Sequence, residues 1–183
     1  MLYLKDEESV MAIQPILRLG HPGLRTRCAP VRPVATDTVG DVVRDLQDTL
    51  EEFRTTHGFG RGIAAPQIGV ERRIIVLHLD TPMVLVNPVV VRRSRRRMTL
   101  WDDCFSFPDL LVKVRRHLEV DVRYQDLSGK RHVLHAEGPL SELVQHEIDH
   151  LDGVLAVDRA IDSRHIVYKS EVERWKTGGE VVL

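Results

Sequence analysis

Val39, Val42, Val43, Leu46, Leu50 and Phe53 recur at steps of three and four along the chain, the period of a helix with one apolar face. The spacing predicts a helix capped by Asp37 or Thr38 and closed at Gly58, since short polar side chains start helices and glycine ends them. Upstream, residues 17–34 are dense in proline and glycine. His21-Pro22-Gly23 reads as a turn, and Pro30 and Pro33 exclude helix, so an extended arm is expected. Beyond the first helix the period changes from 3.6 to 2. Residues 73–79, 83–91, 111–114, 118–124 and 132–135 are apolar or alternating runs with turn residues such as Ser128-Gly129 between them. They predict strands of a mostly antiparallel sheet. Gly138-Pro139 then suits a helix start, with Leu140, Leu143, Val144, Ile148 and Leu151 as its apolar stripe up to Gly153. A last helical pattern runs from about residue 162 to residue 175.

Composition places these elements in one domain. The chain has 183 residues, 43% of them hydrophobic, enough for one continuous core. Met11-Ala12-Ile13 reads like a second start, so residues 1–10 are expected to be an N-terminal extension and residues 11–183 the domain proper. With 26 basic and 27 acidic residues the formal net charge is -1, which exerts no overall pull toward DNA or an anionic membrane. Neither partner is expected. No apolar run nears the roughly 20 residues of a membrane span, and the first residues lack the charged-then-apolar order of a secretory signal. A cytoplasmic protein is expected, monomeric by default. Cys28 and Cys104 are too few for a disulfide framework and fit reduced thiols.

The chemistry concentrates in two segments. His146-Glu147-Ile148-Asp149-His150 lies on the second predicted helix. Residues four apart share a helical face, so both imidazoles can ligate one ion while Glu147 reaches its water, the arrangement of a metal-dependent hydrolase. Such a site takes three protein ligands, and Cys104, Glu171 and His165 are rivals for the third place. A downstream Glu would suggest a zincin-type protease, an upstream Cys a different hydrolase. The second segment, Ile63-Ala64-Ala65-Pro66-Gln67-Ile68, is bracketed by Gly58, Gly60, Gly62 and Gly69. It is neither helical nor amphipathic, and its small residues let another backbone or a ligand approach closely.

Together these segments resemble the peptide deformylases, whose motifs GxGxAAPQxG, EGCLS and QHExDH occur in this order. The counterparts here begin at Gly60-Arg61-Gly62, Asp102-Asp103-Cys104 and Gln145-His146-Glu147. In the middle one, Asp102-Asp103-Cys104-Phe105-Ser106, the Cys and Ser are kept while three positions change. The arm around Ile16 to Arg25 shares in the resemblance, which spans about residues 11–175. It implies an α+β deformylase-type fold, with antiparallel sheets around a central metal-binding helix and a C-terminal helix, in one catalytic domain. It further implies that Cys104, His146 and His150 hold one divalent ion, usually Fe2+, with Zn2+ or Ni2+ as replacements. Glu147 would move the proton of the attacking water, and the Gln67 amide and Phe105 N–H would stabilise the oxyanion. Asp102 would pair with Arg116; Arg115 competes, and both arginines could instead be solvated. The implied substrates are formyl-Met peptides of nascent proteins.

Several positions expected to line the substrate pocket depart from the family's apolar character. The lining set is Gly60, Arg61, Gly62, Asp103, Pro139, Glu142 and Leu143, three of them charged. Glu142 stands four residues before His146 on one helical face. It either points outward into the first helical turn, tunes the pocket for a polar or basic group, or pairs with Arg61. The changes keep two alternatives in view: an amidohydrolase for another N-formyl or N-acyl compound, and a weakly active metalloprotein that binds nascent chains. Elsewhere, Cys28 reads as a small buried hydrophobe and Trp101 as core filler. His165 and the other unpaired histidines read as structural. Arg92-Arg93-Ser94-Arg95-Arg96-Arg97 suits either a solubilised sheet edge or a transient contact with ribosomal RNA.

Overall fold

A computed structural model describes residues 12–172. Its first helix, α1 (Asp37–His57), buries the predicted stripe: Val39, Val43, Leu46, Leu50 and Phe53 all face the core. Each fully buried Leu or Val contributes about 1.5–3 kcal/mol, so this stripe, rather than intrinsic propensity, holds the helix. The cap lies one residue upstream of expectation: the Thr36 side chain accepts from the Val39 N–H, and Asp37 sits in the first turn. Gly58 ends the helix in a left-handed conformation, φ 75°, which glycine adopts without strain.

Five strands, β1 (Gly62–Ala64), β2 (Ile74–Leu77), β3 (Met83–Arg93), β6 (Glu119–Gln125) and β7 (Arg131–Glu137), pair antiparallel in the order β1-β2-β3-β6-β7. All four residues of β2 are buried, and their alternation explains why. Ile74 and Val76 join the cluster under α1, while Ile75 and Leu77 join a second cluster with Leu143, Val144, Ile148 and Leu151 of α2 (Gly138–Leu151). The sheet is therefore sandwiched between the two helices, and a period of two sends successive side chains to opposite sides. A second sheet, β4-β5-β8, is built from β4 (Arg97–Asp102), β5 (Leu110–His117) and β8 (Ile166–Tyr168). Val112 and Val114 pack there with Leu24, Phe107 and Leu155.

Three elements differ from expectation. β4 follows directly on the arginine run, where exposed Arg97 and Thr99 alternate with half-buried Met98 and Leu100; its charged neighbours hid that period. The last helical pattern does not begin at residue 162. Asp162 instead caps a short 3-10 turn, Ser163–His165. Ile166, Val167 and Tyr168 follow as an edge strand on β5, suiting the β preference of branched and aromatic residues. Helix begins at Lys169, and the rest of the expected C-terminal helix lies outside the described residues, as does the expected extension at residues 1–10. Third, Gly62–Ala64 of the small-residue segment is a strand.

The arm is extended as expected, and it ties together the segments that carry the chemistry. The Leu17 N–H donates to the Gln67 carbonyl at 2.8 Å, Leu19 to Ser106 at 2.9 Å and Cys28 to Leu151 at 2.9 Å. Arg18 adds a bond to the Phe105 carbonyl at 3.0 Å. Among the described residues, no helix is long and apolar enough to cross a membrane.

Candidate metal centre

His146 and His150 sit one turn apart on α2, and β4 delivers Cys104 to the same point two residues past its end. Cys104 Sγ lies 3.2 Å from His150 Nε2, and the two Nε2 atoms are 3.2 Å apart. These three donor atoms all lie within 4.8 Å of one another, and all three residues are buried. Ligands about 2.1 Å from a tetrahedral ion stand about 3.4 Å apart, so the donor set fits one cation. Of the rivals, His165 is instead paired with Asp162, Nδ1 to Oδ1, at 2.8 Å, and Glu171 is no member of the converging set.

Behind the donors runs a buried chain of charge. Asp102 Oδ1 stands 2.8 Å from His146 Nδ1, and its Oδ2 accepts from Arg116 at 2.9 Å. Arg116 also donates to Asp149 at 2.5 Å, and Asp149 takes two further bonds from Arg159. Arg116 is 4% exposed, so it is neither solvated nor replaced by Arg115. Burial opposes the charge on Asp102, but His146 and Arg116 outweigh it and hold the carboxyl down at about 2. Burial likewise opposes charge on His146, yet Asp102 keeps its pKa well above the usual value. For His150, burial and the neighbouring His146 push it well below. Asp102 thus flanks His146 on its Nδ1 side while Nε2 faces the other two donors, an arrangement that would suit a carboxylate-supported ligating histidine.

Glu147 and Gln67 complete the centre. Glu147 is 3% exposed and one of its oxygens, Oε2, has no hydrogen-bond partner. Burial is the main reason its carboxyl is pushed up to about 7. A buried polar atom left open in this way is costly unless something else engages it. Gln67 Oε1 accepts the Ala64 N–H at 2.9 Å, which turns Nε2 toward Cys104 Sγ (3.7 Å) and Ser106 Oγ (3.5 Å). Gly62 permits the packing: a Cβ there would lie 2.9 Å from Glu147 Oε1 and 3.1 Å from Leu143 Cδ1. At Gly60, φ 128°, a Cβ would lie 2.5 Å from the Phe105 ring.

The polypeptide deformylase sequence profile matches residues 13–165. A peptide deformylase of Thermomicrobium roseum is 38% identical over 173 residues, covering 89% of this chain and 94% of that protein. The chain belongs to the polypeptide deformylase family. Among solved structures, a Synechococcus elongatus peptide deformylase in complex with actinonin superposes with a TM-score of 0.78 at 31% identity, covering 90% of this chain and 87% of that one. A Met-Ala-Ser-bound class I type b peptide deformylase of Acinetobacter baumannii gives 0.75 at 28%, with 82% and 99% covered.

In this deformylase a cavity of about 310 Å3 opens onto the centre. Gly60, Arg61, Gly62, Asp103, Glu142 and Leu143 line it, as do Gln67, Phe105 and Glu147. Pro139 does not: only its carbonyl takes part, accepting from Arg61 at 3.0 Å. Glu142 turns inward, its side chain 8% exposed and paired with Arg61, so it does not serve the helix's outer face. Asp103 is drawn to the rim by Lys169 Nζ at 2.9 Å. Sequence reasoning missed four other contributors. Lining residues Arg54 and Phe59 carried no motif signal. Asp149 stood inside the His motif, and its carboxylate one position from a ligand was the available clue. Gln145 clasps His117 through both its amide atoms, at 3.1 and 2.9 Å, locking α2 to the end of β5. Cys28 is the buried hydrophobe expected, its thiol pushed up to about 11 by burial.

Proposed function

We propose that this chain removes the N-formyl group from formyl-Met peptides of nascent proteins. The observation that carries the reading is the convergence of Cys104, His146 and His150 at a cavity that the Glu147 carboxylate and the Gln67 amide also line. Family membership supports the reaction type. The Met-Ala-Ser-bound relative supports a peptide as ligand.

Cys104, His146 and His150 would hold the ion, and we assign Fe2+, with Zn2+ and Ni2+ as replacements, because a thiolate beside two imidazoles suits such borderline cations. When bound, it supplies the Lewis acidity that makes water nucleophilic at neutral pH. The chain's own groups do the remainder. Glu147 takes the proton of the attacking water and returns it to the departing amine, as an open carboxylate beside the reacting atoms can. The Gln67 Nε2–H and the Phe105 N–H donate to the oxygen of the formyl carbon as it becomes tetrahedral. Phe105 is steadied for this by its ring, stacked on Phe53 with centroids 3.8 Å apart. The same reading places the enzyme in the cytoplasm, where nascent chains are made.

A second reading, a formylated peptide with a more polar first side chain, is favoured by the Arg61–Glu142 pair in the cavity wall. Anaerobically purified, Fe2+-loaded protein assayed on formyl-Met peptides beside other formylated and acetylated amines separates the two. Glu147→Ala is expected to lower turnover by about 10²–10⁴-fold while the metal content stays the same. Turnover that survives this change overturns the proton role.

A further inference from the structure

Away from the metal centre, a groove of about 1130 Å3 runs between the N-terminal arm and the end of the five-stranded sheet. Arg27 and Arg32 enter it from the arm, Arg73 from the residue before β2, Arg93 from the end of β3, Arg123 from β6 and Arg131 from β7. Among the described residues one carboxylate, Asp152, lines it with them. Six guanidiniums against one carboxylate stand out in a chain whose formal net charge is -1. The overall balance that argued against polyanions hides a local excess.

Most of that excess lies unpaired within this one groove. Arg25, Arg61, Arg92, Arg116 and Arg159 each hold an Asp or Glu partner. In the groove Arg73 and Arg27 share Asp152, at 2.7 and 3.9 Å. Arg32, Arg93, Arg123 and Arg131 have no carboxylate at ion-pair distance among the described residues. Arg131 pairs with Gln125, two residues from Arg123 on the same face, so the Cα atoms of those two stand about 7–8 Å apart on adjacent strands. Like charges held so close on a concave wall repel, and an anion lodged between them relieves the repulsion. Guanidinium forks match phosphate oxygens in pairs. A bilayer surface is too flat to enter a groove; a phosphodiester strand can follow one.

We propose that this groove binds the backbone of RNA. Its anionic preference rests on the groove itself, whereas the choice of RNA among polyanions rests on the deformylase reading, since nascent peptides emerge from an RNA-rich machine. The groove shares no lining residue with the metal cavity, so the two can be tested apart.

The test is fluorescence anisotropy of a labelled 20-nucleotide single-stranded RNA with the metal-loaded protein over a salt series. Binding is expected to weaken as salt rises, with a log–log slope of roughly −0.7 for each phosphate engaged. Arg93→Gln/Arg123→Gln/Arg131→Gln is expected to weaken binding at least tenfold and make the slope shallower by about two, with turnover on formyl-Met peptides unchanged. Amide hydrogen exchange on the unsubstituted protein should show RNA protection at residues 27–34 and 123–131. No binding at 50 mM salt, an unaltered affinity in the triple variant, or equal affinity for a polyglutamate or anionic vesicles overturns the proposal. An active enzyme that fails to bind RNA overturns it alone, and RNA binding without deformylase turnover overturns only the reading of the metal site.

Discussion

The Arg61 guanidinium pairs with the Glu142 carboxylate in the wall of the metal cavity, and a second Arg61 nitrogen donates to the Pro139 carbonyl at 3.0 Å. A charged pair thus occupies wall that the family resemblance would leave apolar. Burial pushes the Glu142 carboxyl above its usual value and Arg61 works against that shift, so each partner depends on the other. Glu142→Ile alone should leave Arg61 unmatched, and Arg61→Ile alone should leave a buried carboxylate unmatched, the costlier of the two. Both single variants are expected to lower kcat/KM on formyl-Met peptides, whereas the double Ile variant should exceed the parent by about tenfold, on the order of one methylene's worth of apolar contact. A double-mutant cycle on kcat/KM reads the coupling directly; additive effects would show that the pair does not shape the pocket.

Gly62 should tolerate no side chain. A Cβ would sit 2.9 Å from Glu147 Oε1, 3.0 Å from Leu77 Cδ2 and 3.1 Å from Leu143 Cδ1. Overpacking of this kind costs about 1–3 kcal/mol, and here part of the displaced material is the Glu147 carboxylate, the proposed proton carrier. Gly62→Ala is expected to lose activity by more than its modest drop in melting temperature explains. Calorimetry beside steady-state kinetics makes that comparison.

Arg116→Leu would strand two carboxylates, Asp102 and Asp149, that it now bridges while 4% exposed. Removing one partner of a buried ion pair costs about 3–5 kcal/mol. A chemical-denaturation midpoint shifted by that amount is expected, together with weaker metal retention, since Asp102 also orients His146. Arg115→Leu serves as the control and should be near neutral.

In the metal-free protein Glu147 should contribute stability that falls with rising pH. Its carboxyl is raised from 4.5 to about 7 in the folded chain, burial being the main cause. The folded state therefore keeps a proton that the unfolded chain has released. The resulting stabilisation is complete below about pH 4.5 and is lost as pH climbs through 7; it amounts to a few kcal/mol. In chelator-treated protein, melting temperature between pH 5 and pH 8 should drop less in Glu147→Gln than in the parent. Parallel pH profiles would refute the assignment.

Local pattern was enough for some of this protein. Val39 to Phe53 announced α1, and apolar or alternating runs announced the core strands, because helix and strand patterns are written in neighbouring residues. The step of four between His146 and His150 announced that the two imidazoles share one helical face, for the same reason. Cys104 and Gln67, however, were rivals or loop residues until the ordered motifs singled them out, and nothing within ten residues of either names its partner. β4 was masked by its flanking arginines and β8 by a helical period over the same residues.

Pairing across the chain belongs to the tertiary structure alone. Three fates were open to Glu142, and only the approach of β1 to α2 brings Arg61, 81 residues away, onto its carboxylate. The same holds for Asp102, Arg116 and Asp149, and for the groove arginines drawn from five separate segments. The chain's order determines which elements form and which side chains share a face. Which charges meet, and which stay unmatched, follows from long-range packing, because Coulomb attraction and desolvation depend on distance and burial that no local period encodes.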